Sequence, residues 1–490
     1  MCGIIGIAGR APVTARLVEA LRRLEYRGYD SAGIAVHDGR RLQRRRAEGK
    51  LDALVELLAR EPVDGDIGIG HTRWATHGRA SQRNAHPQMN DRVAVVHNGI
   101  IENFRTLRAE LEAAGAVFES DTDTETIVHL LSRFRAEGMT PAEAVAAALK
   151  RLEGAFALGI LFADAPDRLY AARRGSPLAI GLAPGESLLG SDALALAGLA
   201  ERIIHLEEGD WAELGREKVR IFDALDRPVT RADRPLELGP ALVGKGNYRH
   251  FMLKEIHEQP TVVAETLGSL IDPLAGRVRL PALPFDPARL QRLHIVSCGT
   301  SHHAGMVARY WIERLARLPV DADIASEFRY RDPVLREDEA VVVISQSGET
   351  ADTLAAMRHA KQCGLPVIAI VNVPHSSIAR EADAVIATHA GPEIGVASTK
   401  AFTCQLAVLA ALAVGVARAR GTLDEAGEAE AVEALSAVSV RLAEALRLDP
   451  EIEVMAHEVA KARDVLYLGR DRLYPLALEG ALKLKEVSYI

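Results

Sequence analysis

Val341-Val342-Val343-Ile344-Ser345-Gln346-Ser347-Gly348-Glu349-Thr350 reads as a buried strand that runs into a hydroxyl-bearing turn and then a helix. Consecutive β-branched residues without polar alternation fit a strand covered on both faces, as in a parallel sheet. His294-Ile295-Val296-Ser297-Cys298-Gly299-Thr300-Ser301 has the same design upstream. Outward from these two stretches the chain alternates, with strands predicted at 292–297, 340–345, 367–371 and 384–388 and helices at 302–317 and 351–362. The pattern predicts a doubly wound parallel α/β domain, whose ligands bind beyond the carboxyl ends of the strands. A helix-rich stretch at 423–462 then precedes a predicted strand at 465–468 and a helix at 475–485.

The first half has a different texture. Short apolar runs between Gly-rich turns predict strands at 3–8, 32–37, 67–71, 93–97, 155–162, 169–172 and 178–182. Helices are expected at 14–24, 51–58, 103–114, 123–136 and 141–149, the last opened by the cap-then-proline pair Thr140-Pro141. The outline is a sheet rich in antiparallel hairpins, flanked by helices. Residues 223–240 are rich in Pro, Asp and Arg and lack periodicity. The expected domains are therefore 2–222, a linker at 223–250, a helical connection at 251–289, an α/β domain at 290–428 and the start of a second at 460–490.

Composition narrows the function. A chain of 490 residues fits two to four domains. A hydrophobic fraction of 48% and a charged fraction of 26% are those of a soluble globular protein. The net charge of −8 gives no support for a nucleic-acid partner. Arg40, Arg41, Arg44, Arg45 and Arg46 form a local basic run that is expected to be a solvated hairpin. The four cysteines (Cys2, Cys298, Cys363, Cys404) form no CxxC pair, which argues against a disulfide framework or structural zinc and fits a reducing cytoplasm. The apolar runs after Met1 and at 406–416 are too short for a signal peptide or a membrane span, and the second is expected to be a core helix.

Cys2 is the residue with the most specific chemistry. Removal of the initiator methionine would leave a cysteine whose thiol and α-amine share one residue. The amine, with an ordinary pKa of about 7.7–8.0, can take a proton near neutrality and serve as general base for the thiol. The alternative is a small hydrophobe opening a buried strand. Attack on an amide also needs oxyanion donors, and Asn98-Gly99, where the strand 93–97 exits, offers a side-chain amide and a backbone N–H; an Asn-Gly turn is the plainer reading. Arg73 can grip a carboxylate through two parallel hydrogen bonds or form a surface ion pair. Asp123 can bind an α-ammonium group or cap the helix that follows it. His71, His77, His86 and His97 match no common zinc spacing, and structural or orienting roles are expected. No metal site is expected.

In the second half, helix N-termini combined with Ser and Thr hydroxyls at two strand ends can hold a phosphate dianion without a basic cluster. The competing reading is two well-capped helices.

Together Cys2-Gly3-Ile4, the tract from Leu24 to Ser31, His71 to Gly78, His97-Asn98-Gly99 and Ser120 to Thr124 resemble the class II, N-terminal-nucleophile glutamine amidotransferases. The tract from Leu24 to Ser31 is similar to one branch, the isomerising glutamine–fructose-6-phosphate aminotransferases. The turns at 298–301 and 345–350 resemble the sugar-isomerase (SIS) domain. Lys245 to Pro260, Glu393 to Phe402 and Leu478 to Glu486 resemble other segments of the same enzymes.

The resemblance implies an αββα amidohydrolase sandwich followed by an SIS domain and the start of a second. It implies Cys2 as nucleophile, Asn98 and Gly99 as oxyanion hole, and Arg73, Thr76, His77 and Asp123 as the glutamine site. Trp74 would gate the ammonia path. Ser345, Gln346, Ser347 and Thr350 would hold the phosphate of fructose 6-phosphate. Cys298, Gly299, Thr300, Val396 and Ser398 would line the sugar, and Glu486 would move a proton between its C1 and C2. No cofactor is implied, and a homodimer through the SIS half is. The family continues past the Glu486 motif, to a ring-opening histidine and an imine-forming lysine that this sequence lacks. A C-terminally truncated enzyme retaining only glutaminase chemistry is therefore the expectation.

Overall fold

The computed structural model describes residues 2–25, 28–74, 81–236, 245 and 247–488. Thr76 and His77 lie outside the described residues, as do Tyr26 and Arg27 of the family-specific tract. The chain forms two compact units, Met1–Gly244 and Lys245–Ile490.

The first unit holds two antiparallel sheets. One has eight strands, in the order Asp233–Pro235, Arg202–His205, Ala179–Ala183, Glu186–Gly190, Gly3–Ala8, Ile67–Arg73, Ser31–His37 and Leu42–Glu48. The other has seven, in the order Pro228–Val229, Val219–Phe222, Trp211–Leu214, Leu169–Arg174, Gly154–Phe162, Val93–Ile101 and Gln88–Met89. Strand alternation explains the layering. Ile4 and Ala8 join Ala94, Val96, Ala157 and Leu161 in a core between the sheets. The intervening Ile5 and Ile7 turn to Leu17, Leu21 and Leu54 of the helices Thr14–Leu24 and Leu51–Arg60. On the far side Val93 and Val95 pack on the helices Phe104–Ala113, Thr124–Ala136 and Pro141–Arg151. The result is an αββα sandwich. Thr140 caps the last helix through a reciprocal pair with Glu143.

Three expectations change here. The interval expected to be a linker carries strands Pro228–Val229 and Asp233–Pro235, and the second pairs with Arg202–His205. Pro and Arg suit these short edge strands, which is why they read as linker. The basic run does lie on a hairpin, Ser31–His37 with Leu42–Glu48, but not all of it faces solvent. Arg44 and Arg46 are half-buried and donate to the carbonyls of Arg83, Ala85, Pro87 and Met89. Last, the strand expected to stop at His97 runs on to Ile101, so Asn98-Gly99 lies within a ladder, opposite Ala157 and Phe156. It is not a turn.

The second unit has a five-stranded parallel sheet, ordered Val320–Ile324, Arg292–Ser297, Glu339–Ser345, Val367–Val371, Ala384–Ala387. In chain order this is 2-1-3-4-5, with its switch point between the first and third strands. Val342 and Ile344 face the helices Gly299–Leu315 and Lys400–Ala419, while Val341 and Val343 face Ala325–Arg331 and Ala351–Gln362. Covering both faces is what made these strands continuous apolar runs. Lys400–Ala419 is long and apolar enough to cross a membrane, and it is mostly buried inside this unit.

The expected helical connection belongs to this fold. Helix Phe251–Gly268 packs Val262, Val263 and Leu267 on Cys404, Ala407 and Val432. The 423–462 stretch forms helices Glu425–Ser436, Val438–Leu446 and Asp449–Val459. Residues 465–468 form no strand, and Leu466 and Leu468 are exposed there. Val465 and Tyr467 give the stretch strand-like composition, but among the described residues no strand pairs with it. Helix Leu473–Ser488 follows.

Candidate active site

Cys2 precedes the central strand Gly3–Ala8 of the first sheet. Its neighbour Gly3 has no room for a side chain, because a Cβ there would come within 2.7 Å of Leu24 and of the Thr72 hydroxyl. The Trp74 amide donates to Cys2 Sγ at 3.2 Å, and the thiol reaches the Trp74 carbonyl at 3.5 Å. Burial raises the thiol pKa from its ordinary value, while the Trp74 hydrogen bond and the Arg73 charge oppose this. The thiol is thus held protonated at neutrality, and nucleophilic attack requires a proton acceptor.

The other residues converge from neighbouring strands. Asn98 Nδ2 donates to the Cys2 carbonyl at 2.9 Å, while Asn98 Oδ1 lies 3.0 Å from His71 Nε2. Gly99 has a φ of +120° beside the Ala155 carbonyl. Arg73, at the end of Ile67–Arg73, is buried, with the Cys2 thiol and the Asp123 and Asp30 carboxylates around it. This is no surface ion pair. Asp123 makes no side-chain cap to the helix Thr124–Ala136. Its carboxylate accepts from the Ile101 amide at 2.9 Å instead, and it is buried too. A buried guanidinium and a buried carboxylate suit the carboxylate and ammonium of an amino acid. Trp74 is 39% exposed, edge-on to Tyr29 at 5.3 Å.

Sequence reading missed how the loop before Asp123 is held. Both Glu125 oxygens accept backbone amides, of Glu119 and Ser120, each at 2.6 Å. Burial alone would raise this carboxyl, but the His129 ring, these amides and the Ser120 hydroxyl hold its pKa down to about 2. Thr124 Oγ1 links His97 Nδ1 at 3.0 Å and His86 Nε2 at 3.1 Å. Among the described residues no group of three or more His, Cys, Asp and Glu side chains is arranged to hold a metal.

Burial lowers the His71 pKa to about 3 and that of His86 well below its ordinary value. Both rings are therefore neutral in the fold, whereas in the unfolded chain they take up protons below about pH 6.5. Their contribution to stability is complete above that pH and is lost as pH falls toward the folded values. Two such groups give a slope of up to about 3 kcal/mol per pH unit. Urea unfolding at pH 5 is expected to show a stability about 4 kcal/mol below that at pH 7; equal stabilities would contradict this.

In the second unit the sugar-phosphate candidates gather at the switch point. The first and third strands run side by side, with Ser297 opposite Ile344. Their exits, Cys298-Gly299-Thr300 and Ser345 to Thr350, therefore border one crevice. Neither Cys298 nor Thr350 caps its helix through a side chain. Ser345 Oγ instead meets Thr350 Oγ1 at 2.9 Å and accepts from the Gly348 amide at 3.0 Å. Gly348 has a φ of +64°, and a Cβ there would strike the Ser376 hydroxyl. Ser347 and Gln346 are half-buried at the same turn. Two helix N-termini with hydroxyls clustered beside them suit a phosphate.

The loop bearing Val396 and Ser398 is tied nearby. Asn372 donates from its backbone to the Gln346 carbonyl at 3.2 Å and from its side chain to the Gly391 carbonyl at 2.8 Å. Ser398 Oγ donates to Glu393 at 2.9 Å, and Val396 is exposed. Buried Glu255 accepts the Ile394 and Gly395 amides, and burial raises its pKa to about 7.

Glu486 is exposed and paired with Lys483 at 2.6 Å. Lys483 Nζ and Glu479 also bond Thr300 Oγ1, at 3.0 and 2.9 Å, and Glu479 meets His303 Nδ1 at 2.7 Å. Glu479, Lys483 and Glu486 recur at i, i+4 and i+7 on one helix, a spacing that could have exposed the cluster from sequence.

Sandwich and crevice define a two-part protein, a glutamine amidotransferase of the N-terminal-nucleophile fold joined to a doubly wound phosphosugar-type domain. Residues 71–197 match the glutamine amidotransferase domain family, and 288–415 match the SIS domain family. Two curated relatives are named glutamine–fructose-6-phosphate aminotransferase (isomerizing). The one from Zymomonas mobilis is 59% identical over 494 residues, and one from Bradyrhizobium diazoefficiens is 57% identical over 491. Each alignment covers 100% of this chain and 81% of the relative. A solved C-terminal domain of glucosamine-fructose-6-phosphate aminotransferase from Francisella tularensis is 44% identical over 50% of this chain and 70% of its own, with a TM-score of 0.49.

The chain belongs to the isomerizing glutamine–fructose-6-phosphate aminotransferase family, and it is an enzyme of that class. The expectation of a glutaminase half alone is corrected to this extent: the amidotransferase and SIS domains are both present, in a chain that spans 81% of these relatives' length.

Proposed function

We propose that the chain transfers the amide nitrogen of glutamine to fructose 6-phosphate in the cytoplasm, the four free cysteines fitting a reducing compartment. The observation that carries this reading is Cys2 set beside Asn98, Arg73 and Asp123 in a chain that also carries the hydroxyl-lined switch point. Arg73 and Asp123, with Thr76 and His77, hold the amino-acid end of glutamine. Loss of Met1 frees the Cys2 amine, which takes the thiol proton as sulfur attacks the side-chain amide carbon. The oxyanion collects hydrogen bonds from Asn98 Nδ2 and the Gly99 amide. The proton then passes to the leaving nitrogen and ammonia departs, leaving a thioester that water converts to glutamate. Trp74 gates the ammonia.

The phosphate of the sugar sits on Ser345, Gln346, Ser347 and Thr350, against the N-terminus of Ala351–Gln362. Cys298, Gly299, Thr300, Val396 and Ser398 line the sugar. Glu486, held by Lys483, carries the proton between C1 and C2.

Calorimetric titration with fructose 6-phosphate tests the second half. Ser347→Ala is expected to weaken binding about tenfold, the loss of one charge-assisted hydrogen bond. Unchanged affinity would overturn the phosphate assignment.

A further inference from the structure

His71 stands on Ile67–Arg73, in register with Ile4 on one side and Gly33 on the other. It is fully buried, and its ring reaches from one sheet to the other. Nε2 lies 3.0 Å from the His97 carbonyl oxygen and 3.0 Å from Asn98 Oδ1. A backbone carbonyl can only accept, so Nε2 carries a hydrogen. Nδ1 has no hydrogen-bond partner and is left as the lone-pair nitrogen of a neutral ring.

That single N–H decides which way Asn98 faces. With Oδ1 toward His71, the Asn98 amide turns Nδ2 toward Cys2, where it donates to the Cys2 carbonyl at 2.9 Å. Rotating the amide by half a turn would set its NH₂ against the His71 N–H and its oxygen against the Cys2 carbonyl. Both contacts become repulsive, and on the His71 side, where the ring is fully buried, they replace a hydrogen bond. Only the observed orientation offers a donor on the side of the nucleophile.

We propose that His71 is a positioning residue that fixes the polarity of the Asn98 amide, so that the oxyanion hole presents N–H and not oxygen. The inference rests on the glutaminase reading of Cys2. A lysine or arginine at position 71 would add an unpaired charge beside Arg73. An aliphatic residue would strand both the His97 carbonyl and Asn98 Oδ1. Imidazole supplies one neutral donor within reach of both. The ring is backed by His86, with centroids 4.4 Å apart, and His86 is bonded to Thr124, the residue after Asp123. Donor and ammonium sites thus share one buried network.

Glutamine hydrolysis by His71→Leu is expected to lose about 10²-fold in kcat, the scale of one oxyanion donor, with the KM for glutamine changed less than about twofold. His71→Gln, whose amide N–H can reach the same two acceptors, should regain most of the rate. On an Asn98→Ala background, His71→Leu should cost less than a further twofold, because the group it orients is gone. A merely structural role predicts equal losses in both backgrounds and no rescue, and that result overturns the proposal. Nitrogen NMR of the unmutated chain gives a reading independent of folding in the variants. His71 should be the neutral Nε2–H tautomer throughout pH 5–8, and an Nδ1–H signal would sink the idea. Cys2→Ala in the same assay separates the two claims. If that variant hydrolyses glutamine at the normal rate, the glutaminase reading fails. If it is inactive while His71→Leu keeps its full kcat, the positioning role alone fails.

Discussion

Cys2→Ala is expected to abolish glutamine hydrolysis, a fall of at least about 10⁴-fold in kcat on the precedent of other covalent nucleophiles. Cys2 is the one cysteine of the first unit. Cys298 and Cys404 belong to the other unit, as does Cys363. The substitution leaves the packing of Gly3–Ala8 intact, since Ile4, Ile5, Ile7 and Ala8 carry the burial of that strand. Calorimetric binding of fructose 6-phosphate should therefore be unaffected. The pH profile adds a second check. Burial raises the thiol pKa, so the fold does not store a thiolate. The acid limb of kcat/KM is expected to follow an amine near pH 8, not the thiol. Wild-type rates in Cys2→Ala would overturn the mechanism, and an acid limb above pH 9 would remove the amine from it.

Gly99→Ala is expected to cost both fold and chemistry. At a φ of +120° an L-residue is strained, and its Cβ would land on the Ala155 carbonyl oxygen of the paired strand. Gly99 lies mid-strand opposite Phe156, so the clash cannot be relieved without opening the Val93–Ile101 ladder. A loss of at least about 3 kcal/mol in urea unfolding is expected. Glutamine hydrolysis should fall about 10²-fold or more even in the folded fraction, because the Gly99 N–H would move with its neighbour Asn98. A variant with normal stability and normal kcat would mean that the backbone at this position is not under the constraint described. Asn98→Ala, which keeps the backbone, should lose rate with little loss of stability.

Much of the fold was readable because each buried strand announces how many of its faces are covered. Val341–Ile344 and Val367–Val371 are apolar throughout, and both faces proved to be helix-covered. Thr140-Pro141 with Glu143 is a local signal that needs no tertiary information. Strands Asp233–Pro235 and Pro228–Val229 were unreadable for the opposite reason. They are two and three residues long and each contains proline, and only a neighbouring strand makes them strands. Residues 465–468 show the reverse, strand-like composition that pairs with no strand among the described residues.

By itself the sequence determined the chemical groups. It placed a cysteine at position 2, Asn98 beside Gly99, Arg73, Asp123, and two Ser/Thr-rich strand exits, and each had a bland alternative it could not dismiss. The folded chain removes some of the bland alternatives, because those turn on backbone partners that the sequence does not name. Asn98-Gly99 is not a turn, since its ladder partner is Ala157-Phe156. Asp123 is not a cap, since its carboxylate is held by Ile101. The Ser345 and Thr350 hydroxyls bond each other and leave both helix N-termini uncapped by side chains. His71, whose spacing said nothing, acquires a role only because two sheets meet across it. Hydrogen bonds are directional and short, so residue type tells what a group can do and the fold tells to whom.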